Sequence, residues 1–461
     1  MRKHTFTVEE KYDQMINTPI PKLITLMAVP TIISMLITSV YNMADTFFVG
    51  KLGTSATAAV GVAFSIMCII QAIGFTFGMG SGNFISRLLG QKEKDYAQKV
   101  AATGFLTAFG IGCLIAIIGL ICVDSIVYGL GATPTIAPYA KQYISIILIG
   151  TPFMAGSFVL NNLFRYQGNA FYGMMGIATG GVLNIILDPI FIFVFKMGVS
   201  GAALATIISQ FVSFCILLSN GGRGGNIRIS LKNFTPNWKI YREILKGGLP
   251  SFYRQGLASI ATIILNVCAR PFGDAAIAAM SIVARILQFA LSMVLGFGQG
   301  FQPVCGFNYG ARRYDRVLEA FWFCVKLAFG VLTTLSILGF IFAPHIIQIF
   351  RKDDLEVIQI GVNALRIQCV TFPLSSWIVM NNMLLQTTGQ GTKASILAMA
   401  RQGLFFIPLI WILSQTSGLL GVQLSQAISD ILTFLLAIPL GGSLLKTLKA
   451  EQRDRSPKMT L

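Results

Sequence analysis

The chain has 461 residues, of which 54% are hydrophobic and 11% charged, with a mean hydropathy of +0.71 and a net charge of +17. It is too apolar and too poor in charge for a soluble protein of ordinary make-up, and reads as a polytopic α-helical membrane protein. Its basic charge argues for a nucleic-acid partner only if its placement does.

Twelve apolar runs are each long enough to cross the hydrocarbon core as a helix. They fall near residues 23–50, 55–86, 100–123, 138–165, 171–195 and 199–220, then 244–269, 275–305, 318–343, 357–386, 394–414 and 418–445. A mixed polar segment, Met1 to Lys22, precedes the first run and no small-residue cleavage site follows it, so no cleavable signal peptide is expected. The longest polar connection, Gly221 to Lys246, holds six basic residues and divides the chain near its middle. The expected layout is a cytoplasmic N-terminal segment over 1–22, a first lobe over 23–220 and an inter-lobe loop over 221–243, then a second lobe over 244–445 and a cytoplasmic tail over 446–461.

The two halves repeat at an offset of 220 residues: Pro30 matches Pro250, Gly53 matches Gly273, and Gly78, Gly80 and Gly90 match Gly298, Gly300 and Gly310. Asn161 and Asn162 match Asn381 and Asn382, and Gly198 and Gly201 match Gly418 and Gly421. A nearly gapless offset of this length marks an internal repeat. Each half has an even number of spans, so both enter the membrane from the same side and the repeats are parallel. The expected fold class is an all-α membrane protein of twelve transmembrane helices in two parallel six-helix repeats. With the N-terminus inside, the inner connections and tails carry 24 Lys and Arg and the outer loops six. The positive-inside rule then places both termini in the cytoplasm and makes the basic charge mostly a topology signal, with no nucleic-acid partner expected.

Three of the 18 acidic residues fall well inside apolar spans, Asp45, Asp188 and Asp430. An ionisable group facing lipid costs several kcal/mol, so each should face a protein interior or a water-filled path. By helix rise, Asp45, Asp188 and Thr206 lie at comparable depth in the outer part of the membrane. Tyr41 and Asn184 each stand four residues before an aspartate, one turn deeper on the same face. Carboxylate, amide and hydroxyl oxygens brought together suit a proton or a small hard cation. At the repeat offset Tyr41, Asp45, Asn184, Asp188 and Thr206 become Ala261, Leu265, Leu404, Pro408 and Gln426, so this polar set belongs to the first half alone. That asymmetry favours function, although Asp45 also fits a helix-end cap and Asp188, before Pro189, fits the backbone groups freed at a kink.

Other polar residues carry weaker signals. Asp430 aligns with Gln210 and reads as a generic polar position, while Arg254, Arg285 and Arg401 read as packed or paired charges as readily as substrate contacts. The turn Gly78-Met79-Gly80-Ser81-Gly82 lacks the strand–turn–helix setting of a phosphate loop and fits close helix packing. The eight cysteines lie singly, and His4 and His345 are far apart, which gives no disulfide or metal pattern and no catalytic constellation.

At these residues the chain resembles the multidrug and toxic compound extrusion (MATE) family, within the larger group that includes lipid and polysaccharide flippases. The resemblance is carried by Asp45-Thr-Phe-Phe-Val-Gly-Lys-Leu-Gly53, Arg165-Tyr-Gln-Gly-Asn169, Asn184-Ile-Ile-Leu-Asp188-Pro189 and Gly298 to Ala311 followed by Tyr314-Asp-Arg-Val317. It covers about Ile20 to Leu445, and the last motif looks most like the MepA-like bacterial branch. The resemblance implies V-shaped lobes that alternate between inward and outward openings, and a cation network in the first lobe joining Tyr41, Asp45, Asn161, Asn184, Asp188 and Thr206; Asn161 enters on this ground only. Other branches carry an acid in the seventh helix, whereas Gly247 to Ala269 holds none here.

The expected function is H⁺- or Na⁺-coupled antiport of amphiphilic, cationic drugs across the bacterial inner membrane, by a monomer with no cofactor beyond the coupling ion. Asp45, Asn184, Asp188 and Thr206 are metal ligands if that ion is Na⁺. A lipid-linked precursor flippase is the alternative. It is disfavoured because a headgroup cavity calls for arginines and the first six spans show no basic residue deep within them. A membrane-embedded enzyme is a further alternative, for which no constellation is present.

Overall fold

The computed structural model describes residues 8–130, 132–221, 227–350 and 354–455, which form helices and connections without strands. Twelve long rods follow one another: α1 (Ile20–Gly50), α2 (Thr54–Gly90), α3 (Lys94–Ile121), α4 (Ala137–Tyr166), α5 (Ala170–Pro189) and α6 (Gly198–Ser219). The second six are α7 (Trp238–Ala269), α8 (Asp274–Gly310), α9 (Tyr314–Ile341), α10 (Leu355–Thr371 and Ser375–Thr387), α11 (Gly391–Met399 and Phe406–Thr416) and α12 (Gly418–Arg455). Eleven of them are long and apolar enough to cross a membrane. The other, α7, is 32 residues long and more polar, with Arg254, Gln255 and Asn266 interrupting its apolar run.

The repeat recurs in the helix bounds. α2 and α8 both have 37 residues, α3 and α9 both have 28, and each begins 220 residues after its counterpart. Glycine opens the same helices in both halves, with φ of 117° at Gly53 and 91° at Gly273 and of 57° at Gly198 and 59° at Gly418. These left-handed positions let the chain turn straight from one rod into the next, where a β carbon would be strained.

Several rods outrun the apolar runs that foreshadow them. α2 continues to Gly90, α7 begins at Trp238, and α12 continues to Arg455. Lys, Arg, Glu and Gln are good helix formers, so backbone hydrogen bonding carries on after hydropathy has ended.

In the first half α4 packs on α2, α3 and α6, and α5 on α6; in the second, α8 packs on α9 and α10, and α12 on α10 and α11. The lobes meet where α2 runs along α7 and where α1 and α2 run along α8. Glycines allow backbone contact there: a β carbon on Gly80 would strike the Ile244 carbonyl, and one on Gly310 the Arg87 carbonyl. These contacts lie toward the end that carries both termini. Toward the other end the buried apolar clusters no longer span the lobes: one holds Val49, Ala56 and Ile147 of the first, another Leu265, Ile347 and Ile410 of the second. The V is therefore closed at the terminus-bearing end and opens away from it.

Candidate functional site

The first-lobe site is built on α5. Two adjacent glycines let that helix approach both neighbours: a β carbon on Gly180 would stand 2.9 Å from Ser213 Cβ on α6, and one on Gly181 2.7 Å from Ile37 Cγ2 and 3.2 Å from Tyr41 Cδ1 on α1. Less than a turn farther along comes Asn184, and one turn beyond it Asp188. Pro189 cannot donate a helical hydrogen bond, and the chain continues as a π turn, Ile190–Val194, with Phe195 N–H donating to the Ile190 carbonyl at 2.9 Å.

Asn184 Nδ2 donates to Asp188 Oδ1 at 3.2 Å and to Thr206 Oγ1 at 3.4 Å, and the Thr206 hydroxyl donates to the Ala202 carbonyl at 3.0 Å. Asn184, Asp188 and Thr206 are all buried, Asp188 completely. Asp45 on α1 interacts electrostatically with Asp188 and with Tyr41, whose hydroxyl is directed at Gln210 on α6. Of the side-chain oxygens of Tyr41, Asp45, Asn184, Asp188 and Thr206, three buried ones have no hydrogen-bond partner among the described residues: Asp45 Oδ1, Asn184 Oδ1 and Asp188 Oδ2. No Lys or Arg pairs with either acid among the described residues.

The structure thus brings Tyr41, Asp45, Asn184, Asp188 and Thr206 together and leaves Asn161 out. Asn161 packs against Gly173 at the other end of α5, about three turns from Asn184. It adds Tyr143 on α4, fully buried, which interacts with Asp45, Asp188 and Tyr41 and faces Thr206 without completing a hydrogen bond. The four-residue spacing exposed Tyr41 and Asn184 in the sequence. Tyr143 had no acid on its own helix to mark it.

Two nearby carboxylates without a basic partner repel one another in a low-dielectric interior, so binding a proton or a cation relieves them. Hard cations take oxygen ligands of this kind. Among the described residues no three His, Cys, Asp or Glu side chains cluster as metal ligands. The donors that would hold a cation are Asp45, Asn184, Asp188 and Thr206, with the Tyr41 and Tyr143 hydroxyls beside them.

The second lobe answers this site with a built-in ion pair. Asp430 is fully buried; its Oδ1 accepts from Arg401 Nε at 2.8 Å and from Gln426 Nε2 at 3.0 Å. Asp430 is therefore a paired charge and not a generic polar position, and Arg401 is its partner. Arg285 is exposed on α8. The glycines of 78–82 lie within α2 and serve helix packing, Gly78 against Asn162 and Gly82 against the Tyr166 ring on α4 and Gly80 against Ile244 on α7. Arg165 corrects the sequence reading of the first half: it sits at the very end of α4, yet it is only 3% exposed and lies in the seam between the lobes.

A family model described as MatE matches residues 30–190 and 250–412, once in each half. The chain is 29% identical over 431 residues to the multidrug export protein MepA of Staphylococcus haemolyticus (strain JCSC1435), covering 92% of this chain and 94% of that protein. It is 28% identical over 426 residues to MepA of Staphylococcus aureus (strain MSSA476), covering 91% and 93%. Among solved structures it is similar to an outward-facing multidrug resistance MATE family transporter of the MOP superfamily, with a TM-score of 0.89, 28% identity and 95% and 98% of the chains covered. It is also similar to a MOP superfamily transporter from Pyrococcus furiosus Vc1 (DSM3638), with a TM-score of 0.88, 29% identity and 95% and 98% covered. That transporter is described as having a binding pocket of reverse polarity that suggests a different function.

Proposed function

The chain belongs to the MatE family, and from that premise we propose that it exports amphiphilic drugs in exchange for H⁺ or Na⁺ entering through the first-lobe site. The observation that carries the coupling is the cluster of three unpartnered buried oxygens on Asp45, Asn184 and Asp188, in the one half of the molecule that lacks a compensating cation. With the V open to the outside, an ion reaches the carboxylates and neutralises them; release to the inside restores their charge. The two charge states pack α1 against α5 differently, and an equilibrium between two conformations moves by the difference in affinity that each ligand has for them.

Both termini lie in the cytoplasm on this reading. Its support is the excess of Lys and Arg at the end of the bundle where the termini emerge. Substrates enter the cleft between the lobes when it faces inward, and the protein works as a monomer.

The test is efflux of a fluorescent dye from proteoliposomes, driven separately by a pH gradient and by a Na⁺ gradient. Wild type should respond to one of them, and Asp45→Asn and Asp188→Asn should each lose at least about a hundredfold of the driven rate, as removal of an essential charge does. Wild-type efflux from both variants, at normal expression, would sink the coupling.

One observation favours a second reading, transport of a lipid-linked precursor. Arg165 and Arg254 both reach the seam between the lobes, where a phosphate headgroup would need them. Movement of a labelled lipid with no dye efflux under either gradient would put this reading first.

A further inference from the structure

Arg165 closes α4 in the first lobe, and Arg254 stands near the middle of α7 in the second. They lie near enough to repel one another. Arg165 is buried; its Nη1 donates to Gln299 on α8 and its Nη2 to Asn162 one turn back on α4, while its Nε has no partner. Arg254 is partly exposed, and among the described residues its one polar contact is Met79 Sδ at 4.0 Å.

All of these partners are neutral. Among the described residues no carboxylate pairs with either guanidinium. Glu243, about three turns back along α7, is held by Arg87 at 3.1 Å and Lys246 at 3.0 Å. The surrounding polar groups are also committed to each other. The Tyr166 hydroxyl donates to Gln302 at 2.8 Å, Gln302 Nε2 to Gln386 at 3.1 Å, and Gln386 to Ser251 Oγ at 2.8 Å. On the cleft side, Gln255 Nε2 donates to Gln71 Oε1 at 2.9 Å across the seam.

Leaving a charge buried and uncompensated costs several kcal/mol, and two like charges side by side cost more. Structural arginines in an apolar protein are therefore paired as a rule, as Arg87 and Arg401 are here. This pair has instead been left without a counter-ion among the described residues, with Arg165 Nε and the Arg254 fork open to an acceptor. The planar fork of a guanidinium matches two oxygens of a carboxylate or phosphate. One arginine comes from each lobe, and the more exposed of the two borders the floor of the cleft.

We infer that Arg165 and Arg254 form an oxyanion-binding site at the floor of the inter-lobe cleft, taking the carboxylate or phosphate of an amphiphilic substrate. The inference rests on the cleft being the substrate path and extends the substrate class from cations to zwitterions and amphiphilic anions. An oxyanion between the two guanidiniums ties the lobes together from both sides. It is released when the seam parts.

Binding to the purified full-length protein, read by fluorescence polarisation, tests this with a matched dye pair: rhodamine B, which carries a free carboxylate, and its ethyl ester. Wild type should prefer the acid by about tenfold or more, the worth of one charge-assisted contact. Arg165→Gln and Arg254→Gln should each bring the two dyes to parity through a loss for the acid, with the ester unchanged. Arg254→Gln decides if Arg165→Gln does not fold, because among the described residues the Arg254 side chain has no hydrogen bond to an oxygen or nitrogen to lose. Equal affinity for acid and ester in wild type, or a preference that survives Arg254→Gln, overturns the site. If neither dye binds, the drug-export reading fails, and thermal stabilisation by inorganic phosphate or by dihexanoyl phosphatidic acid decides the site on its own. Stabilisation of wild type but not of Arg254→Gln keeps it, by both anions for a general oxyanion site and by the lipid alone for a headgroup site. Stabilisation by neither overturns it.

Discussion

Tyr143 is the residue whose role is easiest to isolate. Its ring fills space in the first-lobe core whether or not it carries a hydroxyl, and that hydroxyl makes no hydrogen bond to protein. Tyr143→Phe should therefore keep the melting temperature close to wild type, since the change removes no contact that holds the fold. If the hydroxyl helps hold the coupling ion, the same variant should need a steeper gradient for half-maximal dye efflux, roughly three- to tenfold for one lost neutral ligand of about 1 kcal/mol. An unchanged gradient dependence would remove Tyr143 from the site. Arg401 and Asp430 give the opposite case. Arg401→Met strands a fully buried carboxylate, at a cost of about 3–5 kcal/mol, whereas replacing both partners by Met and Leu should recover most of it. Melting temperatures in detergent of the single and double variants measure this, and a double variant no better than the single would contradict it. The contrast explains what the sequence could disclose at this scale. Asp45 and Asp188 are legible because a carboxylate in an apolar run is costly, and Asn184 because it stands one turn from one. Tyr143 and Arg165 are not, since a tyrosine in a membrane span is unremarkable and an arginine at a span's end looks solvated until its neighbours are known.

Among the elements, α1 is the one that joins the site to the seam. Its first turns, Ile20, Leu23, Ile24 and Met27, belong to the same hydrophobic cluster as Phe301 and Val304 of the second lobe. Gly296 and Gly300 on α8 let it lie close, at 3.1 Å from Ile32 and 2.6 Å from Ala28 to a would-be β carbon. Farther along, at Ile37 and Tyr41, it lies on α5 of the first lobe, against Gly181. One helix thus feels both the charge on Asp45 and the fit between the lobes. Hydropathy marks α1 as a span and gives its length, but a uniformly apolar helix shows no preferred face, so nothing in the pattern says that its two ends serve different lobes. Gly181→Ala should push Ile37 and Tyr41 off α5. The expected cost is about 1–3 kcal/mol of overpacking, with a loss of driven efflux beyond what the lower stability explains. Gly61→Ala, where nothing stands within 4 Å, is the matched control and should be neutral. Equal behaviour of the two variants, by melting temperature and dye efflux, would show that the α1–α5 contact does not hold the site.

For the whole molecule, the offset of 220 residues carries much of the architecture. It places the rods in corresponding pairs, with equal lengths for α2 and α8 and for α3 and α9 and left-handed glycines at the same joints. It also carries part of how the halves face one another: α1 runs along α8 as α7 runs along α2, and a β carbon on Gly90 would strike the Phe307 carbonyl as one on Gly310 would strike that of Arg87. What it does not carry are polar contacts of the seam such as Arg165 with Gln299, whose matching positions, Leu385 and Met79, are apolar. The seam is closed at the terminus-bearing end, and Gln71 and Gln255 join α2 to α7 across it at 2.9 Å. Alternating access requires these two helices to separate whenever the cleft opens the other way. Cysteines introduced as Gln71→Cys and Gln255→Cys, joined by a short bis-methanethiosulfonate linker, should then stop dye efflux from proteoliposomes. A reductant that cuts the linker should restore it, while each single variant and wild type treated alike keep their rates. The tethered lobes can still open at the outer end, so a cysteine placed at Gly61 should remain open to a water-soluble maleimide in the linked protein. Undiminished efflux with the linker in place would mean that transport does not pass through separation of α2 from α7, and the closed seam would then be a fixed hinge.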